Sequence, residues 1–227
     1  MPIVHDTSGR PLSRPFRLYL WCELIGLFFF VPLSLYWVRD YIPGLLIPTL
    51  VGMGVVCMVY LWRSKGFRTR SLFELSAVRE QLPMIMRHLL IGVPLVSLLT
   101  WVFLPERFLA FMLERPQLWI MVMVLYPVFS VYPQELVYRA FFFHRYERLF
   151  VARPWLMIGI NGLAFGVAHI FFGNWVAPVM TAIGGVIFAH TYYRSRSLLP
   201  VVIEHGIWGD FIFTIGLGWF FYSGSIS

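Results

Sequence analysis

The sequence predicts an all-α, polytopic membrane protein of about seven transmembrane helices plus a cytoplasmic-side amphipathic helix, and three observations carry that prediction. Hydrophobic residues make up 59% of the 227 and charged residues 13%, with a mean hydropathy of +0.74, far from the composition of a soluble domain. The apolar residues fall into blocks close to the ~20 residues that cross a bilayer as a helix. Most basic residues lie in short connectors between those blocks, where positive charge orients spans. The length fits one transmembrane domain over 17–221, after a cytoplasmic tail at 1–16 and before a short tail at 222–227, with a motif-bearing half at 118–220.

In chain order the blocks predict helices at 17–38, 44–62, 88–104, 118–143, 155–172, 176–193 and 198–221. The first block is too long for a signal-peptide core and lacks a small-residue cleavage site, so it reads as a retained span. Ser71 to Arg87 interleaves Leu72, Phe73, Leu75 and Val78 with Glu74, Arg79, Glu80 and Gln81. That pattern predicts an amphipathic helix at the interface, opened by Ser71 as N-cap. The connector Gly173 to Trp175 is short enough to force its two flanking spans into an antiparallel hairpin. Alternate connectors hold 15 and 3 of the 18 Lys and Arg, which places the N-terminus in the cytoplasm and the C-terminus outside. The net charge of +7 is therefore a signal of topology, and no nucleic-acid partner is expected. Cys22 and Cys57 both fall in apolar blocks and read as small buried hydrophobes, not as a disulfide framework.

Ionisable groups inside such blocks are costly and mark candidate sites. Glu135 and Arg139, in YPQELVYR, lie one helical turn apart, so the guanidinium can hold and orient the carboxylate. Pro127 and Pro133 just before them predict a loosened helix bordering a cavity. His169, in LAFGVAHIFF, shares a helical face with Asn161 and Phe165, and the small residues Gly162, Ala164, Gly166 and Ala168 admit a close helix neighbour. Glu204, His205 and Asp210 cluster in the last block. A carboxylate and two imidazoles from three helices can activate a water and stabilise an oxyanion. They can also ligate zinc, although no HExxH is present, or relay protons in a transporter. The plainer readings are an ion pair that only pins helices for Glu135 and Arg139, and a packing residue for His169. Glu23 reads as interfacial or as a packing partner. Counted from span midpoints at about 1.5 Å per residue, His169 and His205 fall about 9 Å and about 8 Å to either side of the depth of Glu135.

The stretches QELVYR, FGVAH and HGIWG, in this order and in late helices, resemble the CPBP family of intramembrane proteases, also called the CAAX prenyl protease, bacteriocin-processing or ABI family. Its pattern is two Glu, three residues and Arg; then Phe, three residues and His; then His, three residues and Asn or a similar group. The resemblance covers roughly residues 118–220. It implies hydrolysis, within the membrane, of a peptide bond in a membrane-associated or lipid-anchored protein. In that reading Glu135 deprotonates a water with help from His169, Arg139 fixes the carboxylate and His205 stabilises the oxyanion. Gln134, Asn161, Phe165, Glu204 and Asp210 are supporting candidates. No metal is expected, with zinc as the alternative, and the expected location is the cell (inner) membrane. Two positions depart from the pattern: Gln134 stands at the first Glu and Gly209 at the Asn, and an amide cannot act as a general base. The alternatives are therefore a non-catalytic CPBP-like scaffold that binds or regulates a partner protein, or a proton-coupled transporter, whose repeat signature is missing. Gly52, Gly54, Gly184 and Gly185 offer faces for close helix contact and leave the oligomeric state open.

Overall fold

The computed structural model describes residues 12–42 and 44–221, and those residues form helices joined by turns, with no strand among them. This is the arrangement that hydrocarbon imposes, because each helix satisfies its own backbone hydrogen bonds. Among the described residues, six helices are long and apolar enough to cross a membrane: α1 (Arg14–Tyr41), α2 (Leu46–Arg63), α3 (Leu75–Phe103), α4 (Pro116–Leu149), α5 (Pro154–Phe172) and α6 (Val176–Ser195). A seventh, α7 (Leu198–Thr214), has 17 residues. The chain is thus a multi-pass membrane protein, with its large apolar side chains, among them Trp37, Val56 and Leu90, exposed on the outer faces of the helices.

The predicted boundaries are corrected at three places. The tail assigned to 1–16 lies outside the described residues up to residue 11, and the tail at 222–227 lies wholly outside them. Helix α1 already begins at Arg14, because the Ser13 hydroxyl accepts the Phe16 N–H (3.4 Å) and a proline occupies the first turn. The amphipathic segment at 71–87 is not a separate helix. Ser71 caps nothing, since its hydroxyl donates to the Arg68 carbonyl (2.6 Å), and from Leu75 one uninterrupted helix of 29 residues runs to Phe103 with Pro83 and Pro94 inside it. At 1.5 Å per residue α3 is about 43 Å long, so its polar first turns extend past a hydrocarbon layer of about 30 Å. The last span, predicted at 198–221, ends at Thr214, where the chain turns through Gly216 (φ 97°) into the short helical turn Leu217–Phe221. Cys57 is buried as expected, whereas Cys22 is exposed on the outer face of α1.

Helix α4 is the hub. Its residues Leu136 to Ala140 are all buried, around the whole circumference, as befits a helix surrounded by others. Wide π-helical turns at Pro127–Val131 and Leu136–Phe141 interrupt it. The first opens at a proline, which lacks an N–H and crowds the carbonyl four residues back. Each neighbour reaches α4 by a specific contact. Phe28 of α1 packs edge-on to Tyr138 and Phe142, Gly54 of α2 lies against Pro133, and Phe143 meets Tyr192 of α6.

Helices α5 and α6 form the predicted hairpin. Gly173 turns in the left-handed region (φ 71°), where only glycine is unstrained, and Asn174 Oδ1 accepts the Ala177 N–H (2.9 Å) to start α6. Gly162 and Gly166 face Ala182 and Val186, and Gly185 abuts Gly162, so these small residues serve close contact inside the chain.

Glu23 is a packing partner. Arg145 of α4 grips both of its oxygens, from Nε at 2.7 Å and Nη2 at 2.8 Å, and the Tyr146 hydroxyl donates to it at 3.0 Å. Removing that acceptor leaves a half-buried guanidinium unpaired. Glu23→Ala is therefore expected to cost about 2 kcal/mol of stability, read as a lowered unfolding midpoint in detergent. An unchanged midpoint would show that the clamp is not what fixes α1 to α4.

Candidate active site

The site starts from the pair that the spacing on α4 predicts. Glu135 and Arg139 are fully buried, with Arg139 Nε 3.1 Å from Glu135 Oε2. Arg139 Nη1 donates to Asn161 Oδ1 of α5 (2.9 Å), and Asn161 Nδ2 donates to the Tyr138 carbonyl (2.6 Å). The guanidinium also lies 4.8 Å over the Phe165 ring, so it meets an acid, an amide and an aromatic face. The other carboxylate oxygen, Glu135 Oε1, is 2.8 Å from Nδ1 of His205 on α7. A carboxylate only accepts, so Nδ1 carries the hydrogen and Nε2 faces away from it. His205 is stacked on Phe188 (4.6 Å, 21°) and packs edge-on to Phe165 (5.5 Å, 87°). Its Nε2 lies 3.2 Å from the hydroxyl of Tyr126.

Ending α7 at Thr214 accounts for this meeting. The midpoint of the helix falls at Gly206, next to His205, so the depth offset predicted for this residue disappears. His169 stays apart. No hydrogen bond joins it to Glu135; its Nδ1 donates to the Phe165 carbonyl (2.8 Å), and its ring packs against Phe165 (4.7 Å). With the hydrogen on Nδ1, the lone pair is at Nε2. His169, His205, His88, Tyr126, Gln134 and Ser130 all line one cavity of about 1790 Å³, walled mostly by aliphatic and aromatic side chains.

The remaining candidates divide. Gln134 donates to Ser130 Oγ (2.8 Å), and its own Oε1 is buried without a partner. Phe165 supports both imidazoles and the guanidinium. Asp210 stands outside the cluster, with Oδ1 buried and unpartnered. Glu204 has a separate set of partners: His88 of α3 meets Oε1 (2.7 Å) and Thr191 of α6 donates to Oε2 (2.6 Å). His88 and Tyr126 are not among the residues singled out from the sequence. His88 carries the signal His169 does, an imidazole in an apolar stretch, whereas a tyrosine before a proline is no signal at all. Zinc needs three ligands around one point, and among the described residues no three His, Cys, Asp or Glu side chains gather so.

Residues 115–211 match a family model described as Rce1-like, type II CAAX prenyl endopeptidase Rce1-like. The matched stretch contains Tyr126, Glu135, Arg139, Asn161, His169 and His205, and it agrees with the CPBP resemblance carried by the three motifs. The family is one of proteases. No curated protein and no solved structure matches the chain.

Glu204 and His88 are coupled across buried surface. His88→Ala strips a fully buried carboxylate of one of its two partners, and breaking such pairs costs about 3–5 kcal/mol. A large drop in the unfolding midpoint is expected, with partial recovery when Glu204→Gln is added to His88→Ala. Absence of that recovery in the double variant would contradict the coupling.

Proposed function

We propose that the protein is an intramembrane endopeptidase of CAAX type, hydrolysing a peptide bond of a membrane-associated or lipid-anchored protein without a metal. The observation that carries this reading is a juxtaposition. The stretch matching a CAAX endopeptidase family holds an imidazole fixed by Glu135 and a second imidazole with a free lone pair, and both face one apolar cavity. Such a cavity accepts an apolar chain segment and excludes bulk water, which strengthens every charge interaction inside it.

The division of labour follows from the partners of each group. Glu135 Oε1 accepts from His205 and Oε2 is held against the Arg139 guanidinium in an ion pair that is not a hydrogen bond, so it acts as the holder of His205, not as the base. His169 Nε2 takes a proton from a water at the cavity edge. The hydroxide attacks the substrate carbonyl, the oxyanion forms on the side of His205, and His169 returns the proton to the departing amine. Arg139 and Asn161 keep Glu135 in place. The basic connectors support a cell-membrane location with the N-terminus cytoplasmic and the C-terminus outside.

The test is cleavage of prenylated C-terminal reporter peptides by purified protein in lipid nanodiscs, read by mass spectrometry. The unaltered chain is expected to release a shortened product with or without a chelator. His169→Ala and Glu135→Gln should each lower the rate by at least about 100-fold, the scale of a lost general base or its support. Cleavage that appears only after Gln134→Glu would favour the scaffold reading, for which Gln134 is the supporting observation. Full activity in His169→Ala would overturn the mechanism.

A further inference from the structure

The contact between Glu135 and His205 commits the Nδ1 hydrogen at 2.8 Å. A neutral imidazole held this way has a lone pair at Nε2 and no hydrogen to give a developing oxyanion. The group facing that lone pair is the Tyr126 hydroxyl, 3.2 Å away. Tyr126 is the last residue before the wide turn that Pro127 opens, and its ring is steadied edge-on by Phe213 (5.2 Å, 68°).

Tyr126 reaches this position because Gly209 has no side chain. A Cβ at 209 would fall 2.5 Å from the tyrosine hydroxyl oxygen and 2.6 Å from Cζ, closer than any side chain tolerates. Position 209 is one helical turn after His205, on the same face of α7, and is where the resembled pattern carries an amide. The space of an amide donor on α7 is thus filled by a phenol donor from α4. An asparagine at 209 beside Tyr126 would overlap with it, so each residue accounts for the other.

We infer that Tyr126 is a catalytic residue of the hydrolysis proposed above, on which this inference rests: its O–H donates to the tetrahedral oxyanion. In the resting site the O–H donates to His205 Nε2. A carbonyl oxygen that becomes an oxyanion is the stronger acceptor and draws the O–H to itself. No bond to Tyr126 forms or breaks, and the phenol keeps its proton. Glu135 and His205 position it.

The experiment uses the reporter assay in nanodiscs with Tyr126→Phe, Tyr126→Ala, Gly209→Asn and the double variant Tyr126→Ala/Gly209→Asn. Tyr126→Phe keeps the ring and is expected to lower kcat about 100-fold or more, with KM within about 3-fold, as for loss of one oxyanion donor. Gly209→Asn and Tyr126→Ala should each be poor enzymes, and the double variant should exceed both by at least about 10-fold. Tyr126→Phe with an unchanged kcat overturns the inference while leaving the protease reading intact, and so does a double variant no better than its parents. An unaltered chain that cleaves no reporter overturns the protease reading and this inference with it.

Discussion

One fully buried carboxylate organises this molecule. Glu135 has no exposed surface, and a charge taken out of water in an apolar bundle is tolerated only when its partners are built around it. Arg139 comes from the same helix, which makes that half of the compensation local. The other half is His205, from a helix much later in the chain. The consequence is that α4 and α7 have to pack at one register, since sliding either by a turn would orphan the carboxylate. Arg139 passes the constraint to α5 through Asn161.

Helix α7 repeats the device with its neighbouring residue. Glu204, about 100° round the helix from His205, binds His88 of α3 and Thr191 of α6. Two adjacent residues thus tie α7 to three helices through buried polar contacts, in a bundle where apolar packing alone discriminates weakly between registers. The same clamp leaves the cavity-facing edge of His205 in a fixed orientation, while the Phe165 carbonyl fixes that of His169. Stability and the chemistry proposed for the site therefore depend on the same few hydrogen bonds.

What the sequence made legible were the features with local causes. Hydropathy located the helices, the four-residue spacing predicted the pair of Glu135 and Arg139, and the short connector at Gly173 predicted the hairpin of α5 and α6. Helix ends were less legible. After Thr214 the run stays apolar, and only the glycines at 216 and 218 mark the turn that centres His205 opposite Glu135. The alternation at 71–87 is real, but no break separates it from the span that follows. Partners supplied by distant helices were not legible at all. His88 and Tyr126 acquire meaning only from what α7 presents to them, and Gly209 looks like a lost amide until the ring that fills its space is seen.

The site depends on Glu135 holding His205, so the most direct measurement is of the His205 imidazole itself. Histidine-selective ¹⁵N-labelled protein in nanodiscs should show, by NMR, a strongly deshielded Nδ1–H proton bound to a carboxylate, assigned through its loss in His205→Gln. This resonance should disappear in Glu135→Gln and persist in Glu204→Gln. A resonance that survives Glu135→Gln, or none in the unaltered chain, would contradict that contact.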